Sequence, residues 1–394
     1  MNTTSTAYLS HAASSQGADS SAEVDDLGEA FAAALRRSDW SEAQRCLQAA
    51  AEREDEDAAD WALRRADWFL AQQRWDDAES HLKGLLASEA QADDLFQMAV
   101  RYNLASIAFM QHDEAGCVAW LSPLLEGDGV ARPSPSGFLA AQMLWVRALH
   151  RSNAIDRLVR WVMQLDASGE LDPAVAGVAS LAGWERGDVV LARRWVAMGR
   201  SRGEAALAEC LVAAVFLSIS ARGAQTEAMK LAEQACARWP ADGRGWAVRG
   251  LVKLWMGDGE SAKSDLERAV ATAPDYAPAW RGLGWAQIFL REPVAAERSF
   301  LSALQLNDRH PESDGGLAVS MAMQQRESEA RDRLSAHKRL DAKNRAWVYA
   351  ENLLAGRPEI ALDLAAVLAA LGQDISAVVD GGDAIKSNVS PGLI

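Results

Sequence analysis

The chain has 394 residues, 49% of them hydrophobic and 24% charged, which is ordinary for a soluble chain with a large core. Its formal net charge of −15 disfavours nucleic acid and anionic membrane as main partners, because both call for Lys/Arg patches that displace counterions. No stretch approaches ~18 consecutive apolar residues, so no transmembrane helix is expected, and no alternating Val/Ile/Thr run marks a strand, so the chain reads as all-α.

In chain order, residues 1–24 are rich in Ser, Thr, Ala and Gly without periodicity and read as a disordered tail. They lack the basic start and apolar run of a Sec secretion signal, and the cytoplasm is expected instead from cysteine usage. Residues 25–125 read as three helix pairs, the first turning at Ser38–Asp39, where Asp39 or Ser41 caps the second helix. Small or apolar residues recur along one face: Ala43, Leu47 and Ala50, then Ala66, Ala78, Leu82 and Leu85, then Ala105, Ala115 and Ala119. Acidic residues in Arg74–Ala78 and His112–Ala115 start second helices, where the helix dipole favours them. Residues 126–137, with Pro133, Pro135 and three glycines, read as a loop or a joint. Degenerate helical pairs follow over 138–208, with Ala192 at a crossing.

The register firms over 209–344. Ala228, Ala262, Ala296 and Ala330 recur every 34 residues by subtraction of their numbers, as do Pro240 and Pro274. Trp280, Leu283 and Gly284 spell W-x2-L-G, Ala296 and Phe300 spell A-x3-F, and Trp246, Gly250, Ala262 and Leu266 repeat the pattern one unit earlier. These motifs resemble the tetratricopeptide repeat (TPR) family, bacterial in flavour here, whose unit is a helix–turn–helix of about 34 residues. Asp314 and His337 depart from the pattern, marking a weakened unit. Residues 345–372 read as a capping helix pair and 373–394 as a flexible tail.

The resemblance implies an α-solenoid wound into a right-handed superhelix, with the first helix of each pair lining a concave face that binds partner proteins. Its lining would be Arg244, Ala247, Leu251, Leu254 and Trp255, then Pro278, Arg281, Trp285, Ile288 and Phe289, then Glu312, Gly315, Val319, Ala322 and Met323. Of these, Leu251, Leu254, Trp255, Arg281, Trp285, Ile288, Phe289, Val319 and Met323 are the candidate partner-binding residues, with Trp255, Trp285 and Phe289 as anchors. Leu251 and Trp285 stand where a clamp for a carboxylate tail would want polar groups, so the groove suits an amphipathic helix or a hydrophobic segment of a partner. The same side chains also fit a plain packing role between adjacent helices.

The histidines are scattered, and no nucleophile-elbow, phosphate-loop or zinc-protease motif occurs, so no catalytic or metal-ligating residue and no cofactor is expected. Cys46, Cys117, Cys210 and Cys236 form no C-x-x-C and read as buried reduced thiols. Most of the 15 tryptophans, including Trp61, Trp68, Trp145, Trp161, Trp184 and Trp195, read as space-fillers between Ala-rich helices. The functional expectation is a non-enzymatic interaction scaffold in a bacterial multiprotein assembly, with a chaperone for a type III-like secretion substrate as the alternative.

Overall fold

A computed structural model describes residues 21–52, 58–88, 94–126, 135–219, 224–306, 311–337 and 345–357. Among them the regular elements are helices, and the chain divides into two units between Ala154 and Ile155. Unit 1 holds α1 (Ser21–Arg36), α2 (Trp40–Ala51), α3 (Ala58–Ala71), α4 (Trp75–Ser88), α5 (Asp94–Met110), α6 (Glu114–Leu125) and α7 (Pro135–Arg151). Unit 2 holds α8 (Ile155–Ser168), α9 (Pro173–Glu185), α10 (Val189–Arg200), α11 (Ala208–Ile219), α12 (Gln225–Arg238), α13 (Gly243–Trp255) and α14 (Gly259–Thr272). It continues with α15 (Ala277–Phe289), α16 (Pro293–Leu306), α17 (Pro311–Met323), α18 (Glu327–His337) and α19 (Arg345–Leu354).

One turn recurs throughout. Ser38, Gln73, His112, Asn153, Gly187, Gly257, Arg291 and Gln325 each adopt a positive φ just after the first helix of a pair. The next residue's N–H bonds back five residues, as in Asp39 to Ala34 O (2.9 Å), Asp113 to Ala108 O (2.8 Å) and Glu292 to Gln287 O (2.8 Å). This is the Schellman closure, which satisfies carbonyls that the helix end leaves open. In four of these turns the following residue is Asp39, Asp113, Asp188 or Asp258, whose carboxylate accepts from a backbone N–H of the second helix at 2.8–3.2 Å. One short segment therefore ends one helix and starts the next.

This turn also sets the register. Ala43, Ala78, Cys117, Ala192, Ala262, Ala296 and Ala330 each lie five residues after a turn residue, and all are fully buried where the second helix of a pair crosses the first. The crossing residue of α6 is thus Cys117, whereas Ala115 and Ala119 are exposed, two residues out of the place the sequence assigns them. By subtraction, turn spacings are 35, 39 and 41 residues through unit 1 and 34 over Gly257, Arg291 and Gln325. The long spacings accompany the 17-residue helices α5 and α7.

Three boundaries differ from the sequence expectation. Helix α1 includes residues 21–24, ahead of the Asp25 start. Helix α7 includes Pro135, which the sequence reading places in the loop. α7 packs on α5 and α6, and the division between units falls after it. The second helix of the proposed cap and both tails lie outside the described residues, apart from 21–24.

The W-x2-L-G signature has a physical role. The indole N–H groups of Trp246 and Trp280 donate to the carbonyls of Pro240 and Pro274 at 2.9 and 2.8 Å, tying each first helix to the end of the preceding second helix. Asp314 occupies the next tryptophan place and is buried in an ion pair with Arg333 of α18. Phe300 fills the space between Gly284 and Gly316, where an added Cβ would come within 2.7 and 2.4 Å of its ring. Trp145, Trp161, Trp184 and Trp195 are buried, and Trp184 stacks on Phe216 with centroids 5.8 Å apart.

Candidate functional site

In unit 2 the first helices pack on one another as well as on their second helices. Side chains that an open groove would display are therefore enclosed. Leu251, Leu254, Trp285, Ile288 and Val319 are buried, and Trp285 is fully so, with its ring edge-on to Phe300 at 5.4 Å. Arg281 is also buried, at 4% exposure. These six of the nine sequence candidates are core of the unit. The packing alternative noted for them in the sequence describes their state here.

The remaining three share a register place. Trp255, Phe289 and Met323 are the last residues of α13, α15 and α17, 34 apart by subtraction. Phe289 is 45% exposed and leans on Gly259, while Trp255 and Met323 are half-buried against the core. Met256, next to Trp255, is exposed. The result is a ladder of large, polarizable apolar side chains along one edge of three successive repeats.

A polar group lies among the N-terminal ends of the same helices. Arg244 bonds Asp242 (2.7 Å) and Glu209 (3.4 Å). Tyr276 brings its phenol among these charges. Burial pushes its pKa up, Glu185 and Asp242 add to the rise, and Arg244 and Arg281 oppose it. Across the α13–α14 pair, Asp265 accepts from Arg249 (2.6 and 2.7 Å) and Lys253 (2.7 Å). Sequence reading missed these groups, since each carboxylate looks like a solvated helix residue until the neighbouring helix is in place.

Unit 1 is built differently at the same register. Six residues before the turn residue, unit 2 places Leu181, Leu251, Trp285 and Val319, all buried. Unit 1 places Ala32, Asp67, Ser106 and Arg147 there, three of the four polar. Tyr102 joins this row: burial pushes its phenol pKa up, while the Ser106 hydroxyl and Arg147 pull it down. Asp67 is only 6% exposed, and its Oδ1 has no hydrogen-bond partner among the described residues. Sequence reading passed over this row as well, because nothing in A-D-W-F-L sets Asp67 apart from a surface aspartate.

Burial pushes all four thiols up, Cys117 to about 12 and Cys210 and Cys236 to about 11, which leaves them protonated and weakly nucleophilic. Among the described residues no His, Cys, Asp and Glu gather in a group of three able to hold a metal ion, and no helix is long and apolar enough to cross a membrane.

By its own helix pairs, turn closures and Trp–Pro ties, the chain is an all-α array of tetratricopeptide-like helical repeats. No family model and no curated protein matches the chain. Among solved structures it is similar to a tetratricopeptide repeat protein from Parabacteroides merdae, at 15% identity over 67% of this chain and 98% of that one, with a TM-score of 0.47. It is also similar to a human IFIT1 dimer with m7Gppp-AAAA, at 12% identity over 86% and 88% of the two chains and a TM-score of 0.48. A third similar structure is the APC/C hetero-tetramer Cut9–Hcn1, at 12% identity over 91% and 79% with a TM-score of 0.45.

Proposed function

We propose that the chain is a non-catalytic scaffold that holds an apolar or amphipathic segment of a partner protein. The observation that carries this reading is the ladder of Trp255, Phe289 and Met323, which recurs at one place in three repeats, with Phe289 exposed and the other two partly so, while the rest of the sequence-nominated row is buried. Rungs on successive repeats suit a partner helix that presents an apolar side chain on every turn or two. The net charge of −15 favours a protein partner over nucleic acid or an anionic membrane surface. A cytoplasmic bacterial assembly is the setting that best fits this reading.

The test is a photo-crosslinking side chain at Met256, beside the ladder, in the native cell, followed by purification of whatever it captures. Titration of the captured protein then compares wild type with a Trp255→Ser, Phe289→Ser double variant. The loss of two anchor side chains weakens binding by about 30-fold, equivalent to ~2 kcal/mol. A double variant that keeps the wild-type helical signal and wild-type affinity overturns the reading. Capture of one secreted client would favour a chaperone, and capture of several subunits of one apparatus a scaffold.

A further inference from the structure

The Phe289 ring rests on Gly259: a Cβ added there would come within 2.6 Å of Phe289 Cδ1 and 3.0 Å of Leu290 Cδ2. Gly259 lies between Asp258 and Glu260 in the chain, and both of these residues are exposed. One repeat on, Gln324, next to Met323, donates to the carbonyl of Pro293 at 3.4 Å, and Pro293 is 34 residues after Gly259 by subtraction. In both repeats the ladder edge therefore seats on the start of the preceding second helix. Met256 and Val294 lie beside these seats, each 57% exposed. Exposed apolar side chains gathered in this way mark a contact surface.

Most charges along this edge are matched within it. Glu292 holds Lys263 at 2.6 Å, Glu297 and Glu329 hold Arg326 at 2.7 and 2.6 Å, and Arg331 stands 3.4 Å from Glu327. Asp258 accepts the Ser261 N–H at 3.2 Å, and among the described residues no ion pair holds it or Glu260. Lys253, on the helix before them, is bonded to Asp265 at 2.7 Å. Over residues 255–263 and 289–297 the cations are Lys263, which is paired, and Arg291, exposed at the following turn. The apolar rungs thus border two carboxylates whose counter-charge the edge does not fully supply.

Building on the ladder as a docking surface, we propose that this edge takes a cationic amphipathic helix of a partner protein. Its apolar face lies on Trp255, Phe289 and Met323, and a Lys or Arg about one turn along it reaches Asp258 and Glu260. Rim charges of this kind choose the partner and speed its approach more than they add affinity. The chain's own ends lack this chemistry: residues 1–20 contain no Lys or Arg, and residues 358–394 contain Lys386 alone against five Asp and Glu. A second copy would set the same carboxylates against themselves.

The experiment titrates the full chain against dye-labelled helical peptides of ~18 residues, read by fluorescence anisotropy at low and physiological salt. One peptide carries a Leu/Trp face flanked by Lys, another the same face flanked by Glu, and a third the Lys composition scrambled so that no face forms. The Lys-flanked helix binds about tenfold more tightly than the other two at low salt, and the margin narrows as salt screens the rim. The pair Asp258→Asn, Glu260→Lys, in which Asn keeps a capping side chain, weakens it about fivefold and strengthens the Glu-flanked helix. The pair Asp275→Asn, Glu233→Lys makes the same charge change on exposed residues away from this edge and leaves binding within about twofold. Equal affinities for the Lys- and Glu-flanked helices, both lost with Trp255→Ser, Phe289→Ser, overturn the cationic assignment and leave the docking surface standing. Lys-flanked binding that ignores those two substitutions sinks the docking surface and the assignment together. Phe289→Ser alone serves if that double variant does not fold. Equal losses in the two charge variants, or no binding of the Lys-flanked helix, also overturn the assignment. So does self-association of the chain that Phe289→Ser abolishes, which would make a second copy the occupant.

Discussion

Asp67 in unit 1 and Asp265 in unit 2 are equally buried, each 6% exposed, yet they titrate in opposite directions. Burial pushes both up. Asp265 nevertheless ends below the usual carboxylate value, because Arg249 and Lys253 hold its charged form with three hydrogen bonds. Asp67 has no such bonds and rises to about 7. Burial raises both, and the partners that each carboxylate finds decide whether the net shift is up or down. The units contrast in the same way along the row six residues before each turn. Unit 2 closes its first helices over apolar side chains, while unit 1 sets Asp67, Ser106 and Arg147 in three of the four such places and Ala32 in the other.

The sharpest way to break this comparison is at that row. Trp285→Ala removes a fully buried indole from unit 2 and leaves a cavity against Phe300, destabilising the unit by about 3–5 kcal/mol. Ser106→Ala at the same register in unit 1 changes stability by less than about 1 kcal/mol, because it removes only a hydroxyl bonded back to the Tyr102 carbonyl. Urea unfolding followed through hydrogen exchange in each unit gives both numbers. Similar losses from the two substitutions would mean that the row is not core in one unit and polar lining in the other.

A smaller effect is expected at Asp265. Asp265→Ala leaves Arg249 and Lys253 without their carboxylate and costs roughly 1–3 kcal/mol near neutral pH. Because the folded pKa of Asp265 is depressed, its stabilisation is complete above the usual 3.8 and is lost as pH falls through the folded value. The difference between wild type and Asp265→Ala in chemical unfolding should therefore shrink in acid, in the direction opposite to the one that the raised pKa of Asp67 sets. A difference that grew in acid would reverse the assignment.

Much of unit 2 was legible because its spacing is constant. Ala262, Ala296 and Ala330 sit at the crossing, and Trp246 and Trp280 reach Pro240 and Pro274, so identical residues recur every 34 places by subtraction. In unit 1 the repeat lengthens and what recurs is a backbone state, reached by Ser38, Gln73, His112 and Asn153, with no residue type in common. That is why Ala115 was placed at a crossing that belongs to Cys117. The candidate site was legible only at its edge. Phe289 ends its helix and stays exposed, whereas the burial of Leu251 and Trp285 depends on how closely the next first helix approaches. That approach is set by Gly282 and Gly316, side-chain-free positions with no hydrophobic signal of their own.

The least disruptive probe of the comparison is the turn that both units share. Gln325 holds φ at 64°, a conformation that Gly257 adopts at the equivalent place without a Cβ. Gln325→Gly removes that steric cost and gives back part of the gain as extra freedom in the unfolded chain, leaving a net stabilisation of about 0.5 kcal/mol. Asn153→Gly in unit 1 should gain less, because asparagine tolerates the left-handed region better than glutamine does. The reverse change, Gly257→Ala, should lose about 0.5–1 kcal/mol. Thermal unfolding of the three variants at one pH gives the order Gln325→Gly, Asn153→Gly, wild type, Gly257→Ala from most to least stable. If Asn153→Gly gained the most, the turns of the two units would differ in strain and not in residue type alone, and a common backbone register could no longer be assumed for unit 1.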